Sequence, residues 1–320
     1  MSNTELIREL RALTSAGMKD CKDALEESNW DLQKAVDIVK AKGLNIVSGR
    51  SGKVASEGAV TVWHFAEGVA MAEVNCQTDF VANSPDFKGF AQNVTREVAE
   101  AIMNNEAFTV DMVEQERQTV VSTTKENVVV RRWWVEQPVA PGTVTYSYVH
   151  SNGKIGVLIT LLAPSVDAAK DSVFRELGED LAMQIAAMSP LAVDTDRIPQ
   201  EEKDRQKAIF EMQLKEENKP EKMWDKILEG KFRKWNTEVC LLEQESVVVP
   251  KTAVKQVIKN VGTKLGGEIQ VVNFVRCQVG EGIEKKQDNL AEEVAKLTAQ
   301  ENGQFDTTVL QAMSAVRNKV

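Results

Sequence analysis

Apolar residues in the first 42 positions recur at helical spacing: Leu6, Ile7, Leu10 and Leu13, then Cys21, Ala24 and Leu25, then Leu32, Ala35, Val36 and Val39. The pattern predicts three short helices. Asn3 or Thr4 caps the first, and Thr14-Ser15-Ala16-Gly17 breaks it; the second runs from about Lys19 to Glu27. Asp31 opens the third and Gly43 stops it. A module of roughly 40 residues buries little surface and is marginal alone. Residues 44–57 read as a linker by composition. Their Gly49-Arg50-Ser51-Gly52-Lys53 patch lacks the residue order of a phosphate loop, and no buried strand precedes it.

From residue 58 the period falls to two. Residues 58–64 and 69–75 alternate around Glu67-Gly68, and residues 142–149 and 155–162 alternate around Asn152-Gly153. Each hairpin precedes a helix, Pro85 to Met103 in one case and Val166 to Met188 in the other. Both hairpins open with Gly-x-Val-Thr-Val or a near match, so one sheet-and-helix shape made twice is expected. Between them come a helix, Val110 to Lys125, and a strand, Val128 to Val135. Residues 200–235 are dense in Glu, Lys and Gln and are divided at Pro220, the signature of a protruding helical hairpin. Strands Leu241 to Val249 and Glu268 to Val279, with a helix Lys251 to Lys259 between, are expected to return to the second sheet. A terminal helix, Leu290 to Leu297, and a loosely attached tail complete an α+β chain. The implied divisions are 1–43, a linker 44–57, 58–140, 141–195 with 237–279, an insertion 196–236, a helical module 280–300 and a tail 301–320.

Composition narrows the chemistry. The 320 residues are 42% hydrophobic, ample for a core, and the net charge of −9 argues against broad binding to phosphate backbones. The cysteines, Cys21, Cys76, Cys240 and Cys277, are far apart and form no zinc spacing; reduced thiols in an intracellular chain are expected. His64 and His150 are the two histidines, too few for a His-rich metal centre. No apolar run is long enough to span a membrane, and the acidic N-terminus resembles neither signal nor transit peptide, although a trimmed precursor would look the same.

The stretch that organises the rest is Glu73-Val74-Asn75-Cys76-Gln77-Thr78-Asp79-Phe80-Val81. Alternation from Val69 to Val74 predicts a half-buried strand, and its period breaks at Asn75. Beyond the break, Asp79 and Phe80 stand side by side before the helix-entry signal Asn83-Ser84-Pro85. Phe80 either folds back onto its own core or is presented to another molecule by a loop on a rigid support. The Ala16-Gly17-Met18 turn offers a second partner surface through a flexible Met. A thiol enzyme built on Cys76 with His64 or His150 lacks anything to orient a base, and a ubiquitin-type adaptor would use only the first 42 residues.

Residues 14–25, 73–81, 150–157 and 279–285 together resemble the elongation factor Ts family of bacterial and organellar translation. The resemblance covers about residues 4 to 300, and Asn75-Cys76-Gln77-Thr78-Asp79-Phe80-Val81 is its most specific string. It implies a ubiquitin-associated-like N-terminal domain, two related α/β subdomains, an inserted antiparallel coiled coil and a C-terminal helical module. It implies no covalent chemistry and no cofactor. The implied partner is elongation factor Tu, whose GDP and Mg²⁺ site would be loosened by the loop of Thr78, Asp79, Phe80 and Val81. Arg11, Met18 and Lys19 match a face that meets the partner's G domain, with Lys19 standing where an apolar residue is common. His150 matches a loop that touches a distal partner domain. No membrane or direct nucleic-acid contact is implied; dimerisation through the helical hairpin is one further use of that element. The implied location is bacterial cytoplasm, or a plastid stroma or other organelle matrix.

Overall fold

The computed structural model describes residues 2–14, 16–66 and 68–284. The terminal helix and tail expected beyond residue 285 lie outside them. Contacts divide the chain into one unit spanning Met1–Glu281 and a second starting at Gly282. The helices and strands of the described residues all belong to the first unit.

Three helices, α1 (Asn3–Thr14), α2 (Met18–Glu27) and α3 (Leu32–Arg50), enclose a small core of Leu10, Cys21, Ala24, Leu25 and Ala35. The cap of α1 is Ser2, not Asn3 or Thr4. The Ser2 amide reaches Glu5 Oε2 at 2.7 Å and the Glu5 amide returns to Ser2 Oγ at 3.4 Å, a reciprocal capping box. Leu13 departs from the inward stripe and is 63% exposed. Gly43 does not end α3, which runs on to Arg50 through what reads as linker. A Cβ at Gly43 would lie 2.9 Å from Ser122 Oγ, so this glycine serves close helix approach and not termination.

Two three-stranded antiparallel sheets follow. The first has order β1 (Glu57–Phe65), β2 (Gly68–Cys76), β3 (Val129–Glu136); the second has order β4 (Thr143–His150), β5 (Ile155–Leu162), β6 (Gln270–Gln278). Helices α4 (Asp79–Ala82), α5 (Pro85–Met103) and α6 (Glu114–Thr124) lie between β2 and β3, and α7 (Ser172–Met188) follows β5. Both central strands carry a register shift after their sixth residue, at Glu73/Val74 in β2 and Thr160/Leu161 in β5. A shared irregularity at the same place supports one shape made twice.

β2 is buried on both faces, not half-buried. Ala70, Ala72 and Val74 meet α5, while Val69 and Met71 join Val60, Leu158 and Cys277 in a core between the sheets. Glu73 is therefore 0% exposed. Arg131 Nη1 lies 3.0 Å and Arg132 Nε 2.6 Å from its carboxylate, and the Gly280 amide donates to it at 2.8 Å. Burial alone pushes the Glu73 carboxyl up, but the bonds from Gly280, Arg132, Arg131 and Asn75 outweigh it and hold the group below the usual range.

Helices α8 (Gln200–Glu216) and α9 (Trp224–Val239) form the expected hairpin, closed by Phe210, Leu214 and Leu228 with Phe232 and Trp235 edge-on. The strand expected at Leu241 to Val249 is absent. Only a 3-10 turn at Leu241–Glu243 and an isolated bridge from Glu245 to Ala253 occur there, and α10 (Val254–Lys264) follows. Ser246 Oγ takes the Val248 and Val249 amides at 3.3 and 3.1 Å, turning the chain before Pro250 and overriding the β-propensity of three valines. Among the described residues no helix is long and apolar enough to cross a membrane.

Replacing Glu73 by Gln should cost about 3 kcal/mol near neutral pH, because two guanidinium groups lose a buried counter-charge. A carboxyl with a depressed folded pKa stabilises fully above the ordinary 4.5 and loses that contribution as pH falls. The gap between wild type and Glu73→Gln in urea midpoints should therefore narrow in acid. An equal gap at both pH values would contradict this account.

Candidate partner-binding site

β2 ends at Cys76, and the chain then has backbone amides with no strand to receive them. Glu126, in the turn between α6 and β3, fills that need. Its Oε2 accepts from the Gln77 and Thr78 amides, both at 3.0 Å, and its Oε1 accepts from Thr78 Oγ1 at 2.6 Å. Thr78 is extended and caps α4, its hydroxyl accepting from the Val81 amide at 3.4 Å. Asn83 Nδ2 donates to the Asp79 carbonyl at 2.9 Å, and Ser84 Oγ to the Val81 carbonyl at 2.8 Å. Ser84 also caps α5, with Pro85 in its first turn.

This one-turn helix has two sides. Ala82 is buried in the first core and Val81 packs against it. Thr78 and Asp79 are exposed, and Phe80 is 84% exposed. Phe80 therefore does not fold back onto its own sheet.

Cys76 sits beneath, fully buried, with its thiol directed at the Thr78 carbonyl 3.2 Å away. Burial, aided by the Glu126 charge, pushes this thiol up to about 12, leaving negligible thiolate at neutral pH. The histidines are engaged elsewhere: His64 Nε2 with Ser147 Oγ at 2.8 Å, and His150 Nδ1 with Tyr148 OH at 2.9 Å. No nucleophile–base pair is assembled from the residues that a thiol enzyme would use.

The other sequence-derived positions fall in two places. Arg11, Met18 and Lys19 are exposed around the α1–α2 turn, as is Leu13 at the end of α1, with Met18 59% exposed. His150 ends β4 and stacks on Tyr148 with ring centroids 5.8 Å apart. Both rings border an apolar groove of about 520 Å³, walled by Ile155, Met183, Ala186, Val247 and Val248. Val247, Val248 and Val249 are 44, 45 and 41% exposed. Sequence reading missed these valines by placing them in a strand; Pro250 directly after them was the available signal for a turn. It missed Glu126 too, and there no local signal exists, since its partners are 48 and 49 residues away.

Comparison with known proteins agrees with this architecture. Residues 77–281 match the family model described as Elongation factor TS, and residues 1–43 match a UBA-like domain. The chain is 36% identical over 312 residues to elongation factor Ts of Clostridium kluyveri, covering 92% of this chain and 98% of that one. It is 38% identical over 306 residues to the Clostridium acetobutylicum protein of the same name, with the same coverage. It is likewise 38% identical over 301 residues to that of Syntrophotalea carbinolica, covering 92% and 98%. A match across both the helical module and the paired sheets, at this identity, means that the chain belongs to the elongation factor Ts family of translation elongation factors.

Proposed function

We propose that the protein accelerates GDP release from the translational GTPase elongation factor Tu, using Thr78–Val81 as a finger. The observation that carries this reading is an exposed Phe80 on a braced turn in a chain of this family. Phe80 enters the partner beside its switch region, Asp79 perturbs the polar network around Mg²⁺, and the phosphate-binding loop loosens. No bond is made or broken. The protein works wherever that GTPase does, in bacterial cytoplasm or an organelle matrix.

The energetics are those of linkage. A factor that weakens GDP binding must itself be weakened by GDP to the same degree. Burying one Phe contributes roughly 1.5–3 kcal/mol, and every ~1.4 kcal/mol changes affinity tenfold. Phe80 alone can thus supply one to two decades of coupling. The Leu13, Met18 and Arg11 face and the groove beside His150 supply affinity that does not depend on the nucleotide.

Two expectations separate these roles. Asp79→Ala with Phe80→Ala should lower the maximal rate of fluorescent GDP release in stopped flow by about ten- to hundredfold. Its melting temperature should stay near wild type, since substitutions at exposed positions shift stability by within about 0.5 kcal/mol. Wild-type release rates from this double variant would contradict the finger. Val248→Asp, in the groove, should instead raise the concentration needed for half-maximal release while leaving the maximum unchanged. A lowered maximum from Val248→Asp would contradict the division of roles.

A further inference from the structure

We propose that Glu126 is the positioning residue of the finger, setting where Phe80 is presented without itself meeting the nucleotide site. This role rests on the exchange reading. A four-residue helix such as α4 cannot hold its own shape, because isolated helices below roughly 12 residues are marginal in water. Its order must come from outside.

Glu126 supplies it through a chain of bonds. The carboxylate gathers both unpaired amides at the end of β2 and takes the Thr78 hydroxyl hydrogen. With its hydrogen so committed, Thr78 Oγ1 turns a lone pair to the Val81 amide and caps the helix that carries Phe80. A carboxylate suits the task, since it only accepts and offers two oxygens.

Glu126 is itself fixed from both sides. Lys125 before it is left-handed, with φ of 60°, and closes α6 through its amide to the Val121 carbonyl at 2.8 Å. Asn127 after it is buried, donates to the Lys53 carbonyl at 2.8 Å and takes Gln77 Oε1 on its amide at 3.2 Å. Lys125 also approaches Asp20 of α2 at 3.5 Å, but both side chains are largely solvated and this pair adds little. Helix α6 thus acts as the support, Glu126 as the brace and α4 as the tip.

The test uses the full-length chain with Glu126→Ala and Glu126→Gln. Backbone amide exchange should show Gln77 and Thr78 losing protection in Glu126→Ala while β1, β2 and α5 keep theirs. In stopped flow, the maximal rate of GDP release should fall about tenfold or more, as expected when the contact that drives release is misplaced, with half-saturation changed by less than about threefold. Glu126→Gln, which keeps one oxygen for the amides, should lie between the two. A merely structural loss would remove active protein, raising half-saturation at an unchanged maximum, and that result overturns the proposal. So does unaltered protection at Gln77 and Thr78. Should Glu126→Ala fail to fold, Glu126→Gln decides: a lowered maximum supports the brace, and a wild-type maximum with full Thr78 protection overturns it. If wild type itself fails to accelerate release, the exchange reading falls, and amide exchange alone still decides whether Glu126 orders the finger.

Discussion

A carboxylate with no solvent exposure ties the segment leaving the second sheet to the centre of the first. Glu73 lies on the inner face of β2 and accepts from the guanidinium groups of Arg131 and Arg132 on β3. It also accepts the Gly280 amide from the segment leaving β6. Apolar contacts of Val60, Met71 and Leu158 give the sheets their attraction but are non-directional. The Glu73 cluster has direction, because each bond fixes an angle as well as a distance. Desolvation makes such a group costly, and only its full set of partners makes it tolerable.

The same kind of bracing recurs at each presented tip. Glu126 takes the amides beneath the finger, and buried Gln184 does the equivalent beneath the valine turn, accepting the Val247 amide at 2.8 Å and donating to the Glu245 carbonyl at 3.1 Å. In both cases a side chain from a helix or its end replaces a missing strand partner. Exposed apolar residues held in this way need little ordering on binding, so less of the contact energy is lost to entropy.

Much of the fold was legible because period and punctuation agree locally. The hairpins have alternation plus Glu67-Gly68 or Asn152-Gly153, and α5 has an apolar stripe plus Ser84-Pro85. Where one residue type has two physical uses, local reading failed. Gly43 has the look of a helix stop but permits helix packing, and Leu13 continues a core stripe yet faces solvent. The Val247–Val249 run has strand propensity without a neighbouring strand to pair with. The exposure of Thr78, Asp79 and Phe80 agrees with their reading as a presented loop, drawn from resemblance and local context together, whereas the contacts of Glu126 needed three dimensions. A carboxylate that braces amides nearly 50 residues upstream carries no local signature.

The exposure of Phe80 bears on why a non-reactive finger can do work on a partner. An aromatic ring at 84% exposure has its whole transfer energy still to gain. A ring already packed on its own core would have to give that packing up first, and the difference would be near zero. Val81 and Ala82 anchor the turn on the apolar side and Glu126 on the polar side, so the ring is held out from the chain by contacts that do not involve the ring itself. On the exchange reading, the energy released then goes into distorting the nucleotide pocket. On the same reading reciprocity sets the limit, since GDP returning to that pocket would have to expel the ring by the same amount.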